Sequence, residues 1–403
     1  MNEAVASLRD PATIRIRAGS IATAVARDQS PYWRLDASRI DTAAAKVAEV
    51  TLARYPTLAI PYHSRWRHFE AGGIDRAAEL SAALAGVDAA AQARARIDLA
   101  VVAVLLDAGA GAQWSYLDGG QRCARSEGLG VASFRAFMAG AFSSDPAQPL
   151  RVDGPALQQI DAHRLATLFQ VGIDNPLVGL DGRAELLRRF GRTLVERPQA
   201  FGREARPGGL FDLLTDGGRR REIEAAALLH AWLDHTSAIW LTGNTLAGEP
   251  LGDAWPHPHA GGSGAGVGWM PFHKLSQWLV YSLLEPFEAA GIAVNGRDAL
   301  TGLPEYRNGG LLIDTGVLVL RDPDLALATW RASDTPIIEW RALTVHLIDV
   351  IADRVRSLLG RSAEQLPLAC VLEGGTWAAG RVLAAERRGG LPPLDVVSDG
   401  TVF

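Results

Sequence analysis

Two carboxylates stand in settings where a glutamate is costly unless it has work to do. Glu373 lies in Leu372-Glu-Gly-Gly-Thr-Trp-Ala-Ala-Gly-Arg381, a lone acid among small residues and beside Trp377. A charge there loses water unless a cation or hydrogen bonds compensate, which is how catalytic acids and nucleophiles are tuned. The same residue also reads as a charge favoured at a helix N-terminus. Glu305 lies in Leu303-Pro-Glu-Tyr-Arg-Asn-Gly-Gly310, where Tyr306, Arg307 and Asn308 add donors and acceptors on chain held extended before a helix. Such a cluster can read a urea or amide edge. A third stretch, Asp107-Ala-Gly-Ala-Gly-Ala-Gln-Trp-Ser-Tyr116, lets a ligand approach backbone beside Gln113 and Trp114.

Only two lysines, Lys46 and Lys274, occur among 40 Lys and Arg residues. Lys274 sits in the best-patterned helix, 271–287, where Phe272, Leu275, Leu279, Leu283 and Phe287 form an apolar stripe. The neighbouring stripe of Lys274, Gln277, Trp278, Tyr281 and Glu285 suits either a wet cavity or the protein surface. A compact ammonium facing a cavity would take a phosphate or another anion.

The elements that must position these groups are mostly helices. Alanine-rich segments punctuated by Arg and Glu predict helices over 42–53, 74–85, 88–106, 133–139, 156–171, 183–196, 221–241, 271–290 and 339–359. Strand signals are sparse. The best is 311–320, which reads equally as a helix ending at Gly316 followed by a short extended piece. Glycine and proline gather at 145–155, 203–209 and 248–268, and the last reads as a connector rather than a lid, for want of aromatic or charged tips.

At 403 residues and a net charge of −5, with no basic block, the chain is not expected to bind nucleic acid or an anionic membrane. A small molecule is the expected partner; oligomeric state is not legible. Cys123 and Cys370 have no metal-ligand spacing, and no run approaches the ~20 apolar residues of a membrane span. With no secretion signal at the N-terminus, cytoplasm is the expected compartment. The glycines of 260–268 lack the strand before and the Gly-Lys-Ser/Thr after that make a phosphate loop. His257 and His259, held extended by prolines, predict a solvent-exposed loop rather than a metal site, and no metal or cofactor is expected. The turn at 239–245 is similar to the Thr-Gly-x-Thr turn of phosphoribosyltransferases, but the paired acids are missing and a helix precedes it.

These stretches, with Trp66-Arg-His-Phe-Glu70, Arg125-Ser-Glu-Gly-Leu-Gly130, Val171-Gly-Ile-Asp-Asn-Pro176 and the ending Asp399-Gly-Thr-Val-Phe403, resemble the uracil-catabolism protein 4 family along essentially the whole chain. That resemblance implies a part in a pyrimidine-degrading route that passes through ribosylurea or its phosphate. From about residue 100 the motif order is also similar to queuosine 5′-phosphate N-glycosylases, helical enzymes that cut a base from a ribose phosphate. Asp107 to Trp114 resembles that family's Asp-Ala-x-Asn-Phe-x-Phe-Trp run without its asparagine. Phe272 to Gln277 resembles its Phe-Tyr-Lys-Arg-Ala-Gln helix, Pro304 to Arg307 with Gly316-Val-Leu318 its Asp-Tyr-Arg and Gly-x-Leu pattern, and 338–344 its Glu-x-Glu-x-Arg-Ala helix start. Glu373 to Gly380 resembles an Asp-x-x-Leu-Trp-x-x-Gly stretch that carries the catalytic carboxylate. Both functional aspartates of that family are glutamates here.

The resemblance implies a mainly α fold, a large helical domain of the N-glycosylase-like type with few short strands. Residues 1–100 are expected to form an N-terminal helical region and 101–403 the N-glycosylase-like domain. By physical analogy with glycoside hydrolysis, Glu373 stands under the ribose and Glu305 at the urea end, with Arg307 and Asn308 on the urea carbonyl. Trp114 or Trp377 walls the sugar, Gln113 and Tyr306 line the site, and Lys274 with Gln277 takes a 5′-phosphate. The activity expected is an N-ribosyl hydrolase. The alternatives are a phosphoribosyltransferase acting on uracil, which needs Mg²⁺ and diphosphate, or a non-catalytic partner in the pathway. Arg65, Trp66, Arg67 and Glu70 have no assigned role.

Overall fold

A computed structural model describes residues 2–398 and 400–402; Asp399 and Phe403 of the closing motif lie outside the described residues. The fold is mainly α, and its strands, two to four residues long, pair only in twos. The chain divides into two compact units that interleave in sequence.

The first unit takes Met1–His63, Asn244–Gln277 and Arg297–Val397. Helices Pro11–Ala26 and Ile40–Arg54 pack on Thr335–Leu359, the longest helix of the unit, which ends at Gly360 in the left-handed conformation. Buried Ile14, Ile21, Val25, Val47, Ile337, Ile348 and Ile351 fill the joint. Asp10 caps the helix Pro11–Ala26, with proline at its first position. Trp33 stacks on Trp340 at 6.5 Å and donates its indole N–H to the Pro336 carbonyl.

Helices Tyr306–Asp314 and Trp377–Arg388 lie side by side in the same direction. Gly380 faces the Arg307 carbonyl at one end, and Arg388 makes a two-pronged pair with Asp314 at the other, both bonds 2.7 Å. The approach is close enough that a Cβ on Gly380 would lie 2.1 Å from that carbonyl oxygen. The 311–320 segment takes the second of its two readings: the helix ends at Asp314, Gly316 turns at φ +79°, and Leu318–Leu320 pairs with Trp33–Leu35.

The 248–268 stretch is not an open connector. Ala254–Pro256 and Trp269–Pro271 pair antiparallel, and the buried Arg17 guanidinium bonds the carbonyls of Ala260, Gly261 and Gly266. Nor is His257 solvent-exposed: it is buried, with Nε2 3.3 Å from Glu339, whose other oxygen accepts from Ser30. A buried acid, itself held by Ser30, gave the imidazole a partner that local sequence does not announce.

The second unit takes Ser64–Gly243, Trp278–Gly296 and Ser398–Phe403. Its centre is the helix Ala89–Leu105, buried on all sides from Leu99 onward, which explains why its pattern is apolar all round. Arg183, fully buried, caps the chain leaving this helix by donating to the carbonyls of Leu106, Ala108 and Gly109. Asp98 is buried too, bonded by Arg206 and the backbone N–H groups of Val152 and Gly208. The helix expected over 156–171 breaks into Gly154–Gln158 and Ala162–Leu168, because Asp161 caps a new start by accepting from the Arg164 N–H.

Among the described residues no helix is long and apolar enough to cross a membrane. None of their His, Cys, Asp and Glu side chains gather in threes as a metal ion requires.

Candidate active site

Glu373 sits in a π turn, Leu372–Thr376, between the short helix Leu368–Val371 and the helix Trp377–Arg388. Such turns insert one residue into a helix and recur where side chains are re-aimed for function. Gly374 and Gly375 make it possible here. A Cβ on Gly375 would come within 2.4 Å of Thr51 and 2.5 Å of Val47, so only glycine lets the helix Ile40–Arg54 pack this close. The end of that helix therefore reaches the carboxylate.

Arg54 bonds Oε1 of Glu373 at 2.9 Å and also its backbone carbonyl. The Tyr55 hydroxyl reaches Oε1 at 3.2 Å, and His63 Nδ1 lies 2.9 Å from Oε2. The segment between them is tied down, since the His63 N–H donates to Ala369 and the Cys370 thiol to Ile60. Glu373 is only 5 % exposed. Burial pushes its carboxyl up, but the His63 hydrogen bond and the charges of His63 and Arg54 outweigh that and hold it below the ordinary glutamate value. It is an ionised carboxylate at neutral pH. The helix-end reading of Glu373 does not hold, because the residue lies inside a continuous helical stretch.

That reading belongs to Glu305. Its side chain caps the helix Tyr306–Asp314, Oε2 accepting from the Arg307 N–H at 2.6 Å and Oε1 from the Asn308 N–H at 2.5 Å. Burial nevertheless raises its pKa, against those two bonds and the charges of Lys274 and Arg307. Two glutamates of one unit are thus pushed in opposite directions. The Glu305-capped helix packs beside the π turn that carries Glu373.

Lys274 begins the helix Lys274–Ala289, half-buried, with its backbone N–H on Asp253 and its charge felt at Glu305. Asp253 is itself buried and paired at 2.9 and 2.7 Å with Arg341, which lies 4.0 Å over the Phe272 ring. Gln277 is fully buried and committed: its amide bonds the Thr301 hydroxyl and the Phe272 carbonyl, and its oxygen accepts from the Thr301 N–H. It braces the loop before Glu305. Arg307 donates to the Gly390 carbonyl and lies 4.7 Å over the Tyr306 ring. The Asn308 amide nitrogen donates to the Leu303 carbonyl at 3.0 Å, which leaves its other N–H and its oxygen on offer.

Trp377 is half-buried, its ring 5.9 Å from that of His63, in position to flank a ligand at Glu373. Trp114 is not a sugar wall. It belongs to the second unit, 1 % exposed, stacked on Phe169 and donating its N–H to the Phe169 carbonyl, while Gln113 is exposed. Within that stretch Gly111 serves packing, since a Cβ there would lie 2.7 Å from Val178. In the same unit Arg65 pairs with Asp107 at 3.0 Å, Trp66 donates to the Ser282 carbonyl, and Arg67 joins Glu70 and Glu285.

Arg54, Tyr55 and His63 are the site residues that sequence reasoning missed. The available signal was Tyr55-Pro-Thr-Leu-Ala-Ile-Pro-Tyr-His63, an extended stretch bracketed by prolines and carrying two tyrosines and a histidine.

Residues 7–403 match the family described as "Protein of unknown function (DUF1688)". The chain is similar to "Protein urg3" of Schizosaccharomyces pombe, 39 % identical over 416 residues that cover 100 % of this chain and 99 % of that protein. It is also similar to "Uracil catabolism protein 4" of Lachancea kluyveri, 38 % identical over 410 residues and 93 % of each.

Proposed function

The chain belongs to the DUF1688 family and is similar to a relative named for uracil catabolism, and we propose that it serves uracil catabolism by hydrolysing the N-ribosyl bond of ribosylurea or its 5′-phosphate. The N-glycosylase-like character of its helical fold is part of the same reading. The observation that carries it is the opposed tuning of Glu373 and Glu305. Environments that push two carboxyl groups apart assign one as base or nucleophile and the other as acid.

Cleavage of an N-riboside passes through an oxocarbenium-like state. The ionised Glu373 stands under the anomeric carbon and stabilises its positive charge, either attacking that carbon or taking the proton of the attacking water. The carbon–nitrogen bond breaks with its electron pair on the urea nitrogen, and Glu305 supplies the proton that nitrogen takes up. Its two backbone bonds fix where the acid stands. Net addition of water gives urea and ribose or ribose 5-phosphate.

His63, Arg54 and Tyr55 hold Glu373 rather than touch the substrate, and Trp377 covers the sugar. Arg307 and Tyr306 flank the urea end. Asn308 spends one amide N–H on the Leu303 carbonyl and offers its other N–H and its unpaired oxygen to the urea end. Lys274 neutralises a 5′-phosphate. In a β-riboside that group and the scissile bond leave the ring on the same face, which agrees with the Lys274 charge being felt at Glu305. Gln277 acts indirectly, through Thr301.

Incubating the purified protein with ribosylurea and with its 5′-phosphate, and separating the products for free urea, tests the reading. No urea from either substrate overturns it, and urea-independent transfer that requires Mg²⁺ and phosphoribosyl diphosphate points to the transferase instead.

A further inference from the structure

Three sequence motifs that the Glu373 site does not use meet in the second unit. Arg65 stands directly before Trp66-Arg-His-Phe-Glu70 and His68 within it, Asp107 opens the stretch 107–116, and Ser126 belongs to Arg125-Ser-Glu-Gly-Leu-Gly130. Ser126 Oγ lies 2.6 and 2.7 Å from the two oxygens of Asp107. Arg65 Nη1 is 3.0 Å from Asp107 Oδ1 and 2.8 Å from His68 Nδ1.

A guanidinium cannot accept, so His68 Nδ1 accepts from Arg65 and carries no proton. The Ser126 hydroxyl, 3.2 Å from that nitrogen, therefore gives its proton to Asp107. Acceptors are what the cluster has left for a ligand: lone pairs on Asp107 and on Ser126 Oγ. They can be reached, since the Asp107 side chain is 12 % exposed and Ser126 is half-buried.

The surroundings hold this pair in place. Arg65 is fully buried, and its Nε and Nη2 have no partner among the described residues. Burying such a charge is costly, and what it achieves is a fixed Asp107. Arg125, between the strand Gln121–Ala124 and Ser126, sits at φ +55°, a strained conformation for a residue with a side chain, of the kind stored at functional sites. Arg65 and Arg125 stand against Asp107 and Glu127, whose charge is felt at Arg65, so the cluster is neutral and suits an uncharged ligand.

We propose that Asp107 and Ser126 form a binding subsite for a vicinal diol, the neighbouring hydroxyls of a sugar. Two acceptors held side by side match two adjacent hydroxyl donors, and the Arg65 charge on Asp107 removes the preference for a cation. The subsite is built from the second unit and stands without the assignment of Glu373.

Calorimetric titration of the full chain with methyl β-ribofuranoside and with its 2-deoxy counterpart tests the proposal, with thermal unfolding alongside. Expected are saturable binding of the riboside, binding of the deoxy compound about tenfold weaker, and a loss of about tenfold in Ser126→Ala that Ser126→Thr regains. No binding by the wild-type protein, or equal binding of the two compounds, overturns it. Riboside binding that Ser126→Ala leaves unchanged also overturns it and places the sugar elsewhere. A loss that comes with a lowered Tm and that Ser126→Thr does not regain is an effect on folding and removes the proposal as well.

Discussion

His63 and Glu373 are 310 residues apart in the chain, yet Nδ1 of one lies 2.9 Å from Oε2 of the other. The contact joins the segment that follows Pro61 to a π turn, and neither element alone would expose a functional pair. With Arg54 and Tyr55 on the other oxygen, it makes Glu373 a fixed, ionised group rather than a mobile one.

Glu373→Gln should abolish most turnover while leaving binding nearly intact. Loss of about 10²–10⁴ in kcat is the range for removing a positioned acid–base group. Steady-state kinetics with a separate binding measurement checks this, and retained turnover refutes the role. His63→Ala should reduce kcat less and raise the acid limb of the pH profile toward an ordinary glutamate, which a merely structural loss would not do.

The pH dependence follows from the two shifts. Glu373 must be ionised and its pKa is lowered, so activity should persist below the ordinary glutamate value of about 4.3 before it falls. Glu305 must be protonated and its pKa is raised, so activity should extend above that value and fall on the alkaline side. In Glu305→Gln the alkaline limb should vanish. On stability the signs oppose. The Glu373 contribution is present above the unfolded pKa and is lost as pH falls through its folded one. That of Glu305 is present below the unfolded pKa and is lost as pH rises through its folded one.

Lys274→Ala should raise KM for the phosphorylated substrate selectively. One lost charged hydrogen bond is worth about 1.5–3 kcal/mol, or roughly ten- to a hundredfold in kcat/KM. An equal loss on the unphosphorylated substrate would count against a phosphate role and would place Lys274 with Glu305 as a purely electrostatic neighbour.

Gly380→Ala should destabilise the protein by about 1–3 kcal/mol, the usual cost of overpacking, because its Cβ must displace the Arg307 carbonyl. Denaturant unfolding measures this. Since that contact sets the spacing of the Glu305-capped helix, kcat should fall as well. An unchanged midpoint would show that the two helices part without cost.

Much of the scaffold was legible. Alanine-rich composition and periodicity located the helices Ile40–Arg54, Ala89–Leu105, Leu180–Glu196 and Thr335–Leu359 to within a few residues of their ends. The helix Pro11–Ala26 escaped notice although Asp10 and Pro11 are a good start signal; isoleucine and arginine alternate at its beginning and blur the period. The residues at the candidate site were legible as types. Their roles were less so, as Glu305 and Glu373 show by exchanging readings, one a helix cap and the other not.

The sequence by itself determined that the protein is mainly α and that Glu305, Glu373 and Lys274 stand where a charge is unusual. Those are local properties, written in spacing and composition. Only the tertiary structure decided which polar groups are already spent: Gln277 on Thr301, Trp114 on Phe169. It also decided that His63, Arg54 and Tyr55 converge on Glu373, because hydrogen-bond satisfaction depends on neighbours hundreds of residues away, which no local pattern encodes.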